Sequence, residues 1–162
     1  MRRRGIVGVA VTLGMVSLVV FGGRPLGAHE PKPSEGWTLH IDAKRHLPAK
    51  PDTVAHHYCK SVSGGMTECQ IYDSDKPDAR LVAVEVVVGP DVYAKFSETE
   101  KKLWHYHKTE IGKVDATLPG LSAAEAAKVV KSIEETYGKI YVLWDPGATD
   151  LPVGQPSVTV IE

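Results

Sequence analysis

Two short runs of alternating polar and apolar residues, 54–61 and 66–73, flank a Ser-Gly-Gly turn near Gly64. Strand-like alternation on both sides of a glycine-containing turn predicts a β-hairpin. The register of this hairpin decides where the two cysteines lie. Cys59 and Cys69 are directly opposite each other if the turn is centred on Gly64, and on opposite faces if its centre lies half a residue later.

The rest of the chain predicts a mixture of strands and helices. Residues 80–88 are apolar on both faces, as in a central strand, and residues 105–114 are ambiguous, with alternation favouring a strand. A helix is expected over residues 90–104, with a new start at Ser97 after Phe96, and a second one from Ser122 to a glycine cap at Gly138. The capping boxes are Ser97-x-x-Glu100 and Ser122-x-x-Glu125, and further strands are expected at 139–144 and 157–161. We therefore expect a single α+β domain, a largely antiparallel sheet with two main helical segments.

The N-terminus has the pattern of a targeting segment. Three arginines precede an apolar run at residues 5–23, and small residues follow up to Ala28. This layout predicts a signal peptide or N-terminal anchor at 1–28, a Pro- and charge-rich linker at 29–36 and a folded domain at 37–162. The expected location is exported, either periplasmic or extracellular, with membrane proximity if the N-terminus is not cleaved.

The charge balance excludes one class of partner. The chain has 19 Lys and Arg against 20 Asp and Glu, and four of the arginines lie in residues 1–28. The remainder carries 15 basic against 20 acidic residues, a net charge of −5, so a nucleic-acid-binding surface is not expected. The sequence contains no P-loop, dinucleotide fingerprint or G-x-S-x-G motif, and no catalytic residue is assigned.

The spacing of histidines suggests a metal site. On a strand, His105 and His107 lie on the same face and present two imidazoles to one ion, and either His56 or His57 adds a third. Glu85 lies inside an apolar strand, where a carboxylate needs a partner. These ligand types suit zinc or copper.

The same residues have a purely structural interpretation. If 98–107 is helical, His105 and His107 lie about 200° apart and share no ion. His105-x-His107-x-x-Glu110 is similar to the metal-binding motif of the cupins. The gap before Glu110 is one residue too short, however, and puts Glu110 on the opposite face of a strand, so this similarity is weak. His40 and His46 are expected to lie outside the cluster.

The two cysteines leave three alternatives open. An exported domain with two cysteines favours a disulfide between Cys59 and Cys69. Cross-strand geometry is often poor for a bridge, so free thiols and metal ligation are the other possibilities.

Several motifs together resemble one family. They are AHHYC at 55–59, YDSDKPDARL at 72–81, EKKLWHYH at 100–107, YGK at 137–139 and LPVGQP at 151–156. From residue 39 onward the chain resembles the oil body-associated proteins, a domain of unknown function best known from plants and also found in bacteria and fungi. The resemblance implies no catalytic residues. It also implies that both cysteines occur in proteins of the reducing cytosol, which weakens the disulfide interpretation.

Three functions follow as expectations. The first is an exported domain of uncharacterised biochemical function that binds a transition metal through the histidine cluster. The second is an enzyme at that cluster, with a metal-bound water activated by Glu85. The third is a metal-free module that binds a lipid surface or a protein partner, in which the histidines and Trp104 only pack.

Overall fold

The computed structural model describes residues 31–161, and from Lys32 onward they belong to one compact unit. The expected targeting segment and the start of the linker lie outside these residues. The strands are β1 (Leu39–Ala43), β2 (Ala55–Val62), β3 (Met66–Tyr72), β4 (Leu81–Val88), β5 (His105–Tyr106), β6 (Tyr137–Val142) and β7 (Ser157–Thr159). The helices are α1 (Pro90–Tyr93), α2 (Glu98–Lys101), α3 (His107–Glu110) and α4 (Ala123–Glu134). None of these helices is long and apolar enough to cross a membrane.

The strands form one antiparallel sheet in the order β1-β2-β3-β4-β6-β5, and β7 also pairs with β6. Strand β4 pairs with one side of β6. Strands β5 and β7 pair with different parts of its other side, so they share one edge of the sheet. The fold is therefore α+β with a largely antiparallel sheet, as the sequence predicts. Cys59 pairs with Cys69 in the β2–β3 hairpin, which confirms a turn centred on Gly64.

The register divides the sheet into two faces. Cys59, Cys69, Glu85 and Ile140 are successive cross-strand neighbours on β2, β3, β4 and β6, so their side chains share one face, here called the inner face. Most of the buried apolar residues belong to one cluster: Leu47, Ala55, Ile71, Val82, Ala83, Ile140 and Val142. Because Ala83 and Ile140 share the inner face with Glu85, polar and apolar parts of the interior are neighbours.

Between residues 90 and 114 one expectation is confirmed and one is wrong. The helix expected at 90–104 starts again at Ser97, which adopts an extended conformation and caps α2, so the single-turn helices α1 and α2 are separate. The strand expected at 105–114 ends at Tyr106, and the chain turns directly into α3.

Helix α4 begins as the sequence predicts and ends earlier. Both hydrogen bonds of the Ser122–Glu125 capping box are formed. The helix stops at Glu134 without a left-handed residue, and the Thr136 amide donates to the Ile133 carbonyl oxygen to close the last turn. Gly138 is therefore not a helix cap, since it lies within β6.

Candidate metal centre

Six buried ionisable side chains meet on the inner face of the sheet. We call this group the inner cluster, and each member is at most 7% exposed: His46, His57, Glu85, His105, His107 and Glu110. The members come from separate parts of the chain. His46 follows β1, His57 lies in β2, Glu85 in β4 and His105 in β5, whereas His107 and Glu110 are the first and last residues of α3.

The carboxylates of Glu85 and Glu110 lie between the histidines, close to their Nε2 atoms. Glu85 Oε1 lies 3.2 Å from both His105 Nε2 and His107 Nε2. Glu110 Oε2 lies 2.9 Å from His105 Nε2, and Glu110 Oε1 lies 3.8 Å from His46 Nε2. Donor atoms around one divalent ion at about 2.1 Å are separated by roughly 3 Å, so these spacings suit metal ligands.

Three of the imidazoles have Nδ1 partners outside the cluster. His46 Nδ1 donates to the Lys44 carbonyl oxygen at 2.7 Å. His57 Nδ1 donates to the carbonyl oxygens of Ile41 and Ala55, both at 3.1 Å. A backbone acceptor fixes the Nδ1–H tautomer and leaves Nε2 with a lone pair. Among the described residues, His57 Nε2 has no hydrogen-bond partner.

His107 shows the same arrangement through a hydroxyl. The Thr136 hydroxyl donates to the Ile133 carbonyl oxygen at 2.6 Å, so its oxygen accepts from His107 Nδ1 at 2.8 Å. With Nδ1 engaged in this way, His107 Nε2 faces Glu85 Oε1 at 3.2 Å. A metal ion at this point would contact both atoms.

The pKa values reflect this arrangement in the metal-free protein. Burial lowers the pKa of His105, but the carboxylates of Glu110 and Glu85 more than offset it and raise that pKa to about 9. Burial raises the pKa of Glu85, but the imidazoles of His105 and His107 outweigh it and hold the pKa well below its usual value. Burial and the neighbouring His46 lower the pKa of His57 to about 3, so this imidazole stays neutral.

Gly138 leaves room for the cluster. A Cβ atom at this position would collide with Glu85 Oε1 and with His105 Nε2, and would lie 2.7 Å from His105 Cε1. Gly138 pairs with His105 in the β5–β6 ladder, which accounts for the close approach. A strand glycine is therefore required where the carboxylate and the imidazole cross β6.

The structure brings together four of the five predicted metal-binding residues: His57, Glu85, His105 and His107. With His46 they form two triads that share Glu85. One triad adds His105 and His107, and the other adds His46 and His57. Within each triad the ligand atoms lie within 4.8 Å of one another. The shared face of His105 and His107 does not arise from a continuous strand. His105 projects from β5, and the chain turns into α3 at His107.

His56 does not join the inner cluster. Adjacent strand residues point to opposite faces, and His56 Nδ1 lies 2.6 Å from Asp42 Oδ1 on the outer face. His40 Nε2 lies 2.9 Å from the same oxygen. We call His40, Asp42 and His56 the outer cluster, and all three are half-buried.

Two members of the inner cluster were missed by the sequence interpretation. His46 was expected outside the cluster, but the irregular segment after β1 folds it against His57, with ring centroids 4.4 Å apart. Glu110 was expected on the wrong face of a strand, but the turn of α3 brings it back to His105. Helical spacing between His107 and Glu110 was the available signal for Glu110, and no periodic pattern points to His46.

The cysteines form a disulfide between β2 and β3. No free cysteine exists among the described residues, so thiol ligation is not part of this structure. Of the alternatives open at the sequence level, the structure contains the disulfide.

A cavity of about 340 Å³ lies between the inner face of the sheet, α3 and α4. Five of the six members of the inner cluster form one part of its wall: His46, His57, Glu85, His107 and Glu110. Most of the remaining wall is apolar and comes from β1, from residues 111–118 and from α4. An ion at the cluster would therefore face an apolar chamber.

Comparisons with known proteins agree with the resemblance in the motifs. Oil body-associated protein 1B of Arabidopsis thaliana is 35% identical over 105 residues, 64% of this chain and 44% of that protein. Oil body-associated protein 2C of the same plant is 38% identical over 104 residues, with 64% and 44% coverage. Oil body-associated protein 2B of Zea mays is 34% identical over 106 residues, with 65% and 42% coverage. The chain thus spans less than half the length of these relatives.

The search of solved structures found no significant match. The profile of the family described as "Protein of unknown function (DUF1264)" matches residues 32–161, nearly all of the described chain. On this evidence the chain belongs to the DUF1264 family, together with the oil body-associated proteins.

Proposed function

We propose that this domain binds a transition metal, zinc or copper, at the inner cluster. One observation carries the proposal: His46, His57 and His107 commit their Nδ1 atoms to outside acceptors, and Nε2 of His46 and of His107 faces a buried carboxylate. Hydrogen bonds of this kind orient imidazoles that ligate a metal.

The burial of so many ionisable groups favours a bound cation. Four imidazoles and two carboxylates are removed from water at one place, and buried ionisable groups are costly without partners. His57 Nε2 and His105 Nδ1 have no hydrogen-bond partner among the described residues. A divalent ion neutralises the two carboxylates and supplies a partner for His57 Nε2. Imidazole and carboxylate together suit zinc and copper.

The test compares two neighbouring histidines on opposite faces. His57→Asn keeps a donor at the position of Nδ1, so the bonds to Ile41 and Ala55 survive, but the Nε2 ligand atom is lost. His56→Asn is the matched control, since it keeps a donor toward Asp42 and lies in the outer cluster. We expect metal content and the zinc-dependent rise in melting temperature to survive in His56→Asn and to fall strongly in His57→Asn.

Circular dichroism of the metal-free variants establishes that both are folded. Loss of metal from His56→Asn with retention in His57→Asn would place the ion in the outer cluster and contradict the proposal. Absence of any bound zinc, copper, nickel or manganese in the wild-type protein would also contradict it, and would favour a metal-free lipid-surface or partner-binding module.

An enzyme at the same site is the second candidate function. The observation that favours it is the cavity, because it gives a small molecule space directly beside the proposed ion. Three protein ligands with one open position is the usual arrangement of a catalytic zinc site. A metal-bound water facing the cavity would then be the nucleophile, with Glu85 or Glu110 as the base.

The location of the protein is a separate proposal. The names of the relatives refer to oil bodies, which supports association with lipid, whereas the pattern of residues 1–28 supports export. We propose that the chain is exported. Mass spectrometry of protein from the producing cell is expected to show an N-terminus between residues 27 and 31, and intact Met1 in a soluble cytoplasmic fraction would contradict export.

A further inference from the structure

The cavity beside the inner cluster has a polar wall and an apolar body. We propose that it binds a medium-chain carboxylate, with the carboxylate head on the ion and the alkyl chain in the apolar part. This inference rests on the proposed metal function and names the class of ligand that the metal site receives.

The size of the cavity determines how long the alkyl chain of the ligand can be. Its volume of about 340 Å³ lies in the usual range for small-molecule sites. At about 30 Å³ for each water-sized group, this space holds roughly ten non-hydrogen atoms. An eight-carbon carboxylate matches that size.

The wall determines the shape of the ligand. The apolar part is formed mainly by aliphatic side chains, among them Leu39, Ile41, Ile111, Val114, Leu118 and Val129. The wall residues include no Phe, Tyr or Trp, so a flexible aliphatic chain suits the apolar part better than a flat ring that needs a stacking partner there.

Helix α4 points to the same conclusion. Its apolar residues Val129, Val130 and Ile133 line the cavity, yet no residue of this helix is fully buried. An amphipathic helix normally buries its apolar side against the core. Here that side faces the cavity, and an alkyl chain in the cavity would complete its burial.

The charge of the cluster explains why the head binds only with the ion. Glu85 and Glu110 line the cavity, and two carboxylates repel a third in an apolar surrounding. A divalent ion neutralises them and offers its open coordination position to the ligand. The carboxylate should therefore bind the metal-loaded protein and not the metal-free protein.

The first experiment measures butanoate, hexanoate and octanoate binding to zinc-loaded wild-type protein by calorimetry. Each buried methylene should tighten binding by about three- to fourfold, so octanoate should bind on the order of 100-fold more tightly than butanoate. Removing zinc should weaken octanoate binding by at least about tenfold. Equal binding of the three acids, or binding that is unchanged without zinc, would overturn the inference.

The second experiment fills the cavity. Val130→Phe places a ring in the space where the alkyl chain would lie, whereas Ala127→Phe adds the same ring on the exposed side of α4. We expect Val130→Phe to weaken octanoate binding much more than butanoate binding, and Ala127→Phe to change neither. Equal effects of the two substitutions would overturn the inference.

Zinc content, measured first, separates the two proposals. Protein that holds zinc but binds no octanoate overturns the cavity assignment and leaves the metal function standing. Protein that holds no metal overturns both. The chain-length and zinc comparisons use the wild-type protein, so they remain decisive if Val130→Phe fails to fold.

Discussion

At the scale of single residues, the closest packing in the site is at Gly138. The Glu85 carboxylate and the His105 ring approach the β6 backbone where a side chain would otherwise start. Because β6 is paired on both sides, by β4 and by β5, the strand has little freedom to move away. The added methyl group must therefore displace the cluster rather than the backbone.

We expect Gly138→Ala to lower the free energy of unfolding by about 1–3 kcal/mol, as overpacking does elsewhere, and to weaken zinc binding. The control is Gly112→Ala, where a Cβ meets nothing within 4 Å and the backbone is not left-handed. Urea unfolding and metal content report the two effects. Unchanged metal binding in Gly138→Ala would show that Glu85 and His105 do not hold the ion.

The two site residues that the sequence predicted for the correct structural reason, His57 and Glu85, lie on regular strands. Alternation alone separates His56 from His57, and an ionisable residue inside an apolar strand marks Glu85 as a residue that needs a partner. His46 was not predictable, because it lies in an irregular segment where side-chain direction follows no period. Glu110 was predicted on the wrong face because the predicted strand continued from His105 to residue 114, whereas the real strand ends at Tyr106.

At the scale of elements, the β2–β3 hairpin is held by its disulfide as well as by its ladder. The bridge joins residues ten apart in sequence, and a closed loop of that length constrains the unfolded chain. Both cysteines line the cavity, so the bridge also forms part of its wall.

Reduction of the disulfide is expected to lower the free energy of unfolding by about 2–3 kcal/mol, since the loop that the bridge closes is short. Urea unfolding with and without reductant measures this difference. In a Cys59→Ala/Cys69→Ala double variant the reductant should have no effect. Two free thiols in unfolded, unreduced protein would contradict the disulfide.

Element boundaries could be predicted where a local signal exists, and failed where tertiary contacts decide them. The Ser122–Glu125 capping box begins α4 as expected. Gly138 has the chemistry of a helix cap, but its place is determined by the side chains that cross it. The Ser97 cap likewise begins α2 as expected, whereas the turn from β5 into α3 after Tyr106 has no local signal in the apolar pattern.

At the scale of the whole molecule, one sheet separates two histidine clusters. The inner cluster is buried and faces the cavity, whereas in the half-buried outer cluster the two imidazoles lie 2.9 Å and 2.6 Å from one carboxylate oxygen of Asp42. The α+β class and the antiparallel sheet could be predicted from the strand runs and their turns. The strand order and the cavity could not, because both depend on how the late strands and α4 lie across the sheet.

The proposed function requires an ion in the inner cluster, and the most direct measurement of that ion is anomalous diffraction from crystals of zinc-loaded protein. We predict an anomalous peak about 2.0–2.2 Å from a carboxylate oxygen of Glu85 and from Nε2 of at least two histidines of the inner cluster. A zinc peak at the outer cluster alone, or no ordered zinc in protein that diffracts well, would contradict the account.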